Sequence, residues 1–214
     1  MNNVDISLKK YVEDNIFPLY EDNIGGHGIE HIESVINRCF ELINEFNLDV
    51  DSNMVYVIAA FHDIGYKTNP KEHEEVSSEM FLNNEEMKKY FNEDEIKTIA
   101  EAIVDHRASL EYEARSIYGK IVSSADREIY ASRVLKRSLL FQNDKLKDKD
   151  HDIMDVIENS YQKLFSKYGK DGYAKMYFPD KKYNDFLSEM HDILNDKDKF
   201  INIEKQIIEE LNIK

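Results

Sequence analysis

The apolar residues of this chain recur at close to the α-helical period of about 3.6 residues nearly from end to end, and no other feature restricts its fold as much. Between Ile29 and Phe46 they fall at Ile29, Ile32, Val35, Ile36, Phe40, Ile43 and Phe46, one stripe of an amphipathic helix. "NEDEIKTIAEAIVDHR" repeats the pattern, with Ile96, Ile99, Ala100, Ile103 and Val104 facing inward. Only seven glycines and three prolines interrupt the chain. No alternating strand pattern, internal repeat or low-complexity tract accompanies them. An all-α fold follows: a single-domain helical bundle over 1–214 with a core at about 25–135 and a C-terminal helical extension at about 150–214.

Local signals refine this. "LKKYVEDNIFPLY" reads as a helix kinked or ended near Pro18. Asp51 or Ser52 can cap the helix carrying "VYVIAAFHDIGYK", with Gly65 as its stop. Pro70 can open a helix holding "KEHEEVSSEMFL". "IYGKIVSSADREIYASRVLKRSLLF" is one helix or two, its start blurred by Gly119. "QNDKLKDKDHD", at 142–152, reads as a charged loop. Helices follow over "HDIMDVIENSYQKLFSKY" and "KFINIEKQIIEELNI", with the aromatic, less regular "GKDGYAKMYFPDKKYND" between them.

Composition narrows the function classes. Formal net charge is −15, and no basic stripe offsets it, so duplex nucleic acid is not an expected partner. A small phosphorylated substrate remains compatible, because a few local cations outweigh a distant acidic surface that salt screens. The longest apolar run, Met54 to Phe61, is far short of the roughly 20 residues that span a bilayer. The start "MNNVDISLKK" lacks an apolar signal segment, and one cysteine, Cys39, forms no internal disulfide. A cytoplasmic protein without a membrane partner is the expectation.

One motif stands out against this background. The apolar run ends in His62 and Asp63, side by side. Burying an imidazole and a carboxylate at the edge of a core is costly unless each has a partner. Two more polar residues sit in similar settings: His31 among Ile32, Val35 and Ile36, and Asp126 directly after Ile121, Val122 and Ala125. Two neutral imidazoles and two carboxylates would suit a divalent ion such as Mn, Fe, Co or Zn. Singly, each also fits a hydrogen-bonded core residue. His151 and His191 lie among charged residues and read as exposed.

The order His31, His62-Asp63, Asp126 resembles the HD superfamily of metal-dependent phosphohydrolases. "HGIEHIESVI", "AAFHDIGYK", "HEEVSSEMFL", "EAIVDHR" and "KIVSSADRE" are similar to the family's successive motifs, in the family's order, over roughly 25–135. The resemblance implies packed helices around a central metal cleft, with His31, His62, Asp63 and Asp126 holding a first divalent ion (Mn, Fe, Co, Mg or Zn). Members with two further histidines bind a second ion bridged by the aspartate of the doublet; His73 and His106 match those positions. One ion and two both stay open. In the single-ion case, His73 and His106 line the pocket and meet the substrate phosphate.

The implied activity is hydrolysis of a phosphomonoester or phosphodiester, with a nucleotide as the expected substrate, by attack of a metal-bound hydroxide. Asp63, Lys67, His106 and Arg127 are the candidate catalytic residues. Lys67, Arg107 and Arg127 are the cations next to the motifs that could stabilise charge on the phosphate. Glu72, Glu74, Asp105 and His106 are in range by sequence to act as general acid, with His106 first if it is not a ligand. Glu30, Glu33 and Glu101 are candidates to orient ligand histidines. Tyr173, Tyr177 or Lys181 could close over the cleft, although core packing suits the aromatics better. Two alternatives share the ligand set: a di-iron oxygenase of the HD type and a non-catalytic nucleotide-binding module. Three departures mark this sequence. Ser34 stands where many relatives have arginine. His27 could share a helix face with His31. Gly65-Tyr66-Lys67 is not the tripeptide of the cyclic-di-nucleotide phosphodiesterases of the group.

Overall fold

A computed structural model describes residues 4–21, 28–147, 150–211 and 213. Ten α-helices and two short 3-10 turns account for the regular structure of these residues, and no strand occurs among them. The helices are α1 (Ile6–Asn15), α2 (Ile29–Glu45), α3 (Ser52–Phe61), α4 (His73–Leu82), α5 (Glu93–Val104), α6 (Ile117–Ala125), α7 (Ala131–Leu146), α8 (Ile153–Tyr168), α9 (Lys181–Leu194) and α10 (Lys197–Leu211). The all-α expectation is met. His27 lies outside the described residues.

Where the sequence suggested a single domain over 1–214, contacts group the chain into two compact units. The first is Met1–Arg127 with Lys175–Phe178; the second is Glu128–Ala174 with Pro179–Lys214. In the first unit, α3 is the central helix, packed by α1, α2, α4, α5 and α6. Every residue from Met54 to Phe61 is buried, which explains why this stretch is apolar all round rather than striped. Asp51 caps it by accepting from the amides of Asn53 and Met54.

The helix ends at Phe61 rather than running on to Gly65, and consecutive turns carry the chain through 62–68. Gly65 acts by close approach instead. A Cβ there would lie 2.7 Å from the Ser77 amide nitrogen and 2.8 Å from the Val76 Cβ, and its own N–H donates to Ser77 Oγ at 2.9 Å. This contact brings α4 against the turn after α3.

Other boundaries shift for similar local reasons. The helix expected from Pro70 starts at His73, because 69–72 are spent in turns. α5 opens on an Asn92–Glu95 capping box and ends at Val104, so His106 lies beyond it. α6 and α7 are separate helices. Gly119 lies inside α6, where a Cβ would meet the Asp105 Cβ at 2.9 Å. Before Pro18 the first helix ends, and a 3-10 turn, Phe17–Tyr20, places the Tyr20 hydroxyl 2.9 Å from the Ala60 carbonyl.

In the second unit, α7, α8, α9 and α10 all pack on one another around buried Leu135, Leu139, Leu164, Phe186, Met190 and Phe200. The charged loop expected at 142–152 is shorter than that. α7 continues to Leu146 and buries Gln142. The first turn of α9 falls within the stretch read as irregular. Neither His151 nor His191 is fully exposed; both are half-buried, and the Nε2 atom of His191 is buried without a hydrogen-bond partner. No helix among the described residues is long and apolar enough to cross a membrane.

Candidate metal centre

The two buried neighbours that end the central apolar run, His62 and Asp63, are 0% and 2% exposed. Around them the fold gathers helix ends. His31 is in the first turn of α2 and His73 is the first residue of α4. His106 follows the end of α5, and Asp126 is the residue that ends α6. Helix termini leave backbone groups unpaired and allow a side chain to project along the axis, so five helices can aim donors at one small volume.

Two groups result: His31, His62 and Asp126, and Asp63, His73 and His106. Within each group the donor atoms lie within 4.8 Å of one another. Asp63 faces both. Its Oδ2 is 3.5 Å from His31 Nε2 and 3.4 Å from His62 Nε2. Its Oδ1 is 3.3 Å from His73 Nε2 and 3.5 Å from His106 Nε2. Asp126 Oδ1 completes the first group at 3.2 Å from His31 Nε2 and 3.8 Å from His62 Nε2. In the second, the Nε2 atoms of His73 and His106 are 3.2 Å apart.

The far ring nitrogens are held by backbone. Nδ1 of His62 lies 2.8 Å from the Ala59 carbonyl, Nδ1 of His73 lies 3.1 Å from that of Pro70, and Nδ1 of His106 lies 2.6 Å from that of Ile103. Each carbonyl belongs to the residue three positions earlier. An Nδ1–H donated there leaves Nε2 with its lone pair toward the carboxylates, the tautomer a metal ligand needs. The carboxylates considered for this task are elsewhere. Glu30 and Glu33 are exposed, and Glu101 faces Arg115 at 4.0 Å.

The electrostatics call for a cation. His62 Nε2 is buried with no hydrogen-bond partner, a costly state for a polar atom unless something positive faces it. Burial pulls the His31 imidazolium down, but the carboxylates of Asp126 and Asp63 carry it up to about 10. Burial pushes the Asp126 carboxyl up, and His31 and His62 outweigh it, holding it well below the usual carboxylate range. Burial also lowers His106, yet Asp63 leaves it raised. His73 is lowered, by burial first and then by His106. Protons on some imidazoles thus stand where the carboxylates favour positive charge. Nitrogen and oxygen donors in this number fit one or two divalent ions.

The other candidates fall in several places. Lys67 is exposed in the turn after Asp63. Arg107 is half-exposed and donates to the Lys71 carbonyl at 2.7 Å and to Glu74. Glu74 is buried, whereas Glu72 precedes α4 and accepts from Asn69. Arg127 is buried and its guanidinium is occupied. It donates to Ser123 Oγ at 2.8 Å, the His106 carbonyl at 3.1 Å, Asp126 Oδ2 at 3.4 Å and the Lys175 carbonyl at 3.4 Å. Asp105 turns away from the histidines. It accepts from the Arg115 amide at 2.6 Å and from the Arg115 guanidinium at 2.7 Å. Tyr177 packs in the first unit, where its hydroxyl accepts from the Ala114 amide at 2.9 Å. Tyr173 and Lys181 belong to the second unit and are exposed. Ser34 is exposed on α2.

The HD domain family model matches residues 28–130, the stretch that supplies all six donors. This segment belongs to the HD domain superfamily. Its two His/Asp groups could hold a metal ion, and members of that family are generally metal-dependent hydrolases. No curated protein and no solved structure matches the chain significantly.

Proposed function

We propose that the protein is a metal-dependent phosphohydrolase acting on a small phosphorylated substrate, a nucleotide in the first instance. The observation that carries this reading is Asp63, whose two oxygens face two separate groups of donors. His31, His62, Asp63 and Asp126 would hold one divalent ion, and Asp63, His73 and His106 a second. Bound there, such ions supply Lewis acidity toward a phosphoryl oxygen and lower the pKa of water toward neutrality.

The chain's own residues do the rest. His62, Asp63 and His106 form the buried floor, with side chains 0%, 3% and 2% exposed. His31, Asp126 and His73, at 19%, 20% and 13%, form the side open to a substrate. Lys67 and Arg107, the cations flanking Asp63 and His106, meet the negative charge of the phosphate. Arg127 is less suited: it is buried and its guanidinium makes four hydrogen bonds to protein oxygens, whereas half-exposed Arg107 makes two. His106 is a ligand in this scheme, so it is not the acid for the leaving group. The acidic surface, net −15, favours a small substrate over duplex nucleic acid.

The test is phosphate release from a panel of nucleotides and phosphoesters by protein stripped of metal and reloaded with Mn²⁺, Mg²⁺, Co²⁺ or Fe²⁺. Oxygen uptake is followed in parallel. Metal-dependent phosphate release is the expected result. The same donors suit a pair of irons, so a coloured iron form that consumes O₂ and releases no phosphate would overturn the hydrolase in favour of an oxygenase. Tight metal binding with neither activity would favour a binding module.

A further inference from the structure

The loop between α5 and α6 starts at a candidate ligand, His106, and contains no regular structure up to Arg115. A ligand at the root of such a loop drifts unless the loop is tied down, and a drift of about 0.5 Å is enough to spoil a metal site. Asp105 and Arg115 close the base of the loop. Arg107 ties the start of the loop to Lys71 and Glu74, and Glu113 near its end meets Lys120; further ties come from far along the chain, where Lys175–Phe178 rejoins the first unit.

Lys175 holds the loop twice. Its ammonium donates to the Leu110 carbonyl at 2.9 Å and to the Tyr112 carbonyl at 2.7 Å. Its own carbonyl accepts from Arg127, which also donates to the carbonyl of His106. Tyr177 adds a tie near the far end, where its hydroxyl accepts from the Ala114 amide at 2.9 Å, while its amide donates to Ser124 Oγ at 3.1 Å. Charged donors make the stronger hydrogen bonds, and Lys175 is half-buried, so water competes less for them. The HD match ends at residue 130, so Lys175 and Tyr177 lie outside it.

We infer that Lys175 is a positioning residue for His106, fixing from outside the matched domain the loop on which the second group of donors depends. The inference rests on the metal reading above for what His106 does, but it is tested by ion binding alone.

The experiment is a Mn²⁺ titration of the stripped full-length chain, comparing wild type with Lys175→Met, Lys175→Arg, Tyr177→Phe and His106→Ala. Wild type takes two ions, and His106→Ala identifies the one held by the second group. Lys175→Met weakens that ion by about 10–100-fold, as loss of a supporting contact does, and leaves the other unchanged. Lys175→Arg, which can still donate to two carbonyls, restores most of the loss. Tyr177→Phe gives a smaller loss of the same ion and reports even if Lys175→Met does not fold. Equal affinities in wild type and the Lys175 and Tyr177 variants would overturn the inference. So would equal loss of both ions, or a wild type whose binding His106→Ala leaves unaltered. If the expected pattern appears but no substrate releases phosphate, the positioning role stands and the hydrolase reading falls.

Discussion

Asp63 is the side chain with most at stake, because one carboxylate serves two groups of imidazoles. Changing it to asparagine keeps its shape and removes its charge. Asp63→Asn is therefore expected to weaken both ions by more than about 100-fold, whereas Asp126→Asn weakens only the ion held with His31 and His62; metal titration followed by elemental analysis distinguishes them. His62 and Asp63 were legible in the sequence because an apolar run ending in two costly residues demands a partner. His73 and His106 were legible only through resemblance. The carbonyls of Ala59, Pro70 and Ile103 were not legible, since such contacts depend on the path of the backbone at each helix end. Another buried carboxyl lies elsewhere: Glu204 on α10 is fully buried, with Ser160 Oγ at 3.2 Å. Burial raises it from an ordinary 4.5 to about 8, against the lowering effect of Ser160. Between those values the folded chain keeps a proton that the unfolded chain releases, so its contribution to stability is full below pH 4.5 and fades as pH rises through 8. Denaturant unfolding from pH 5 to 9 is expected to show this decline, and Glu204→Gln to flatten it.

At the scale of elements, the long helices followed from periodicity, and the glycines did not follow from their identity. Glycine most often marks a helix stop through a left-handed conformation, yet Gly65 and Gly119 serve close packing, and a sequence does not distinguish the two uses. Gly65→Ala is expected to cost about 1–3 kcal/mol by overpacking and to loosen the second group as α4 shifts with His73. Chemical denaturation measures the first effect and Mn²⁺ affinity the second. The Asp105–Arg115 clamp also escaped sequence reading, because nine intervening residues without a helical period give no sign that the two meet. Asp105→Ala leaves the Arg115 amide without its acceptor and leaves the guanidinium only the Glu101 carbonyl and carboxylate, with an expected cost of about 1–3 kcal/mol, read from the same unfolding curves.

The whole molecule is less separable than its family match. Residues 28–130 hold every donor, but the first compact unit also includes Lys175–Phe178. No periodicity announces that a tetrapeptide returns from one unit to complete another, so the boundary was not legible. A chain ended at residue 130 is expected to keep the ion at His31, His62 and Asp126 and to lose much of its affinity for the other, as equilibrium dialysis would show. The central claim is a pair of ions joined by Asp63. Electron paramagnetic resonance of the Mn²⁺-loaded full-length protein tests it most directly. The account predicts the spectrum of a spin-coupled Mn²⁺ pair in wild type that vanishes in Asp63→Ala; isolated, uncoupled ions at full occupancy, or a coupled pair that survives that substitution, would contradict it.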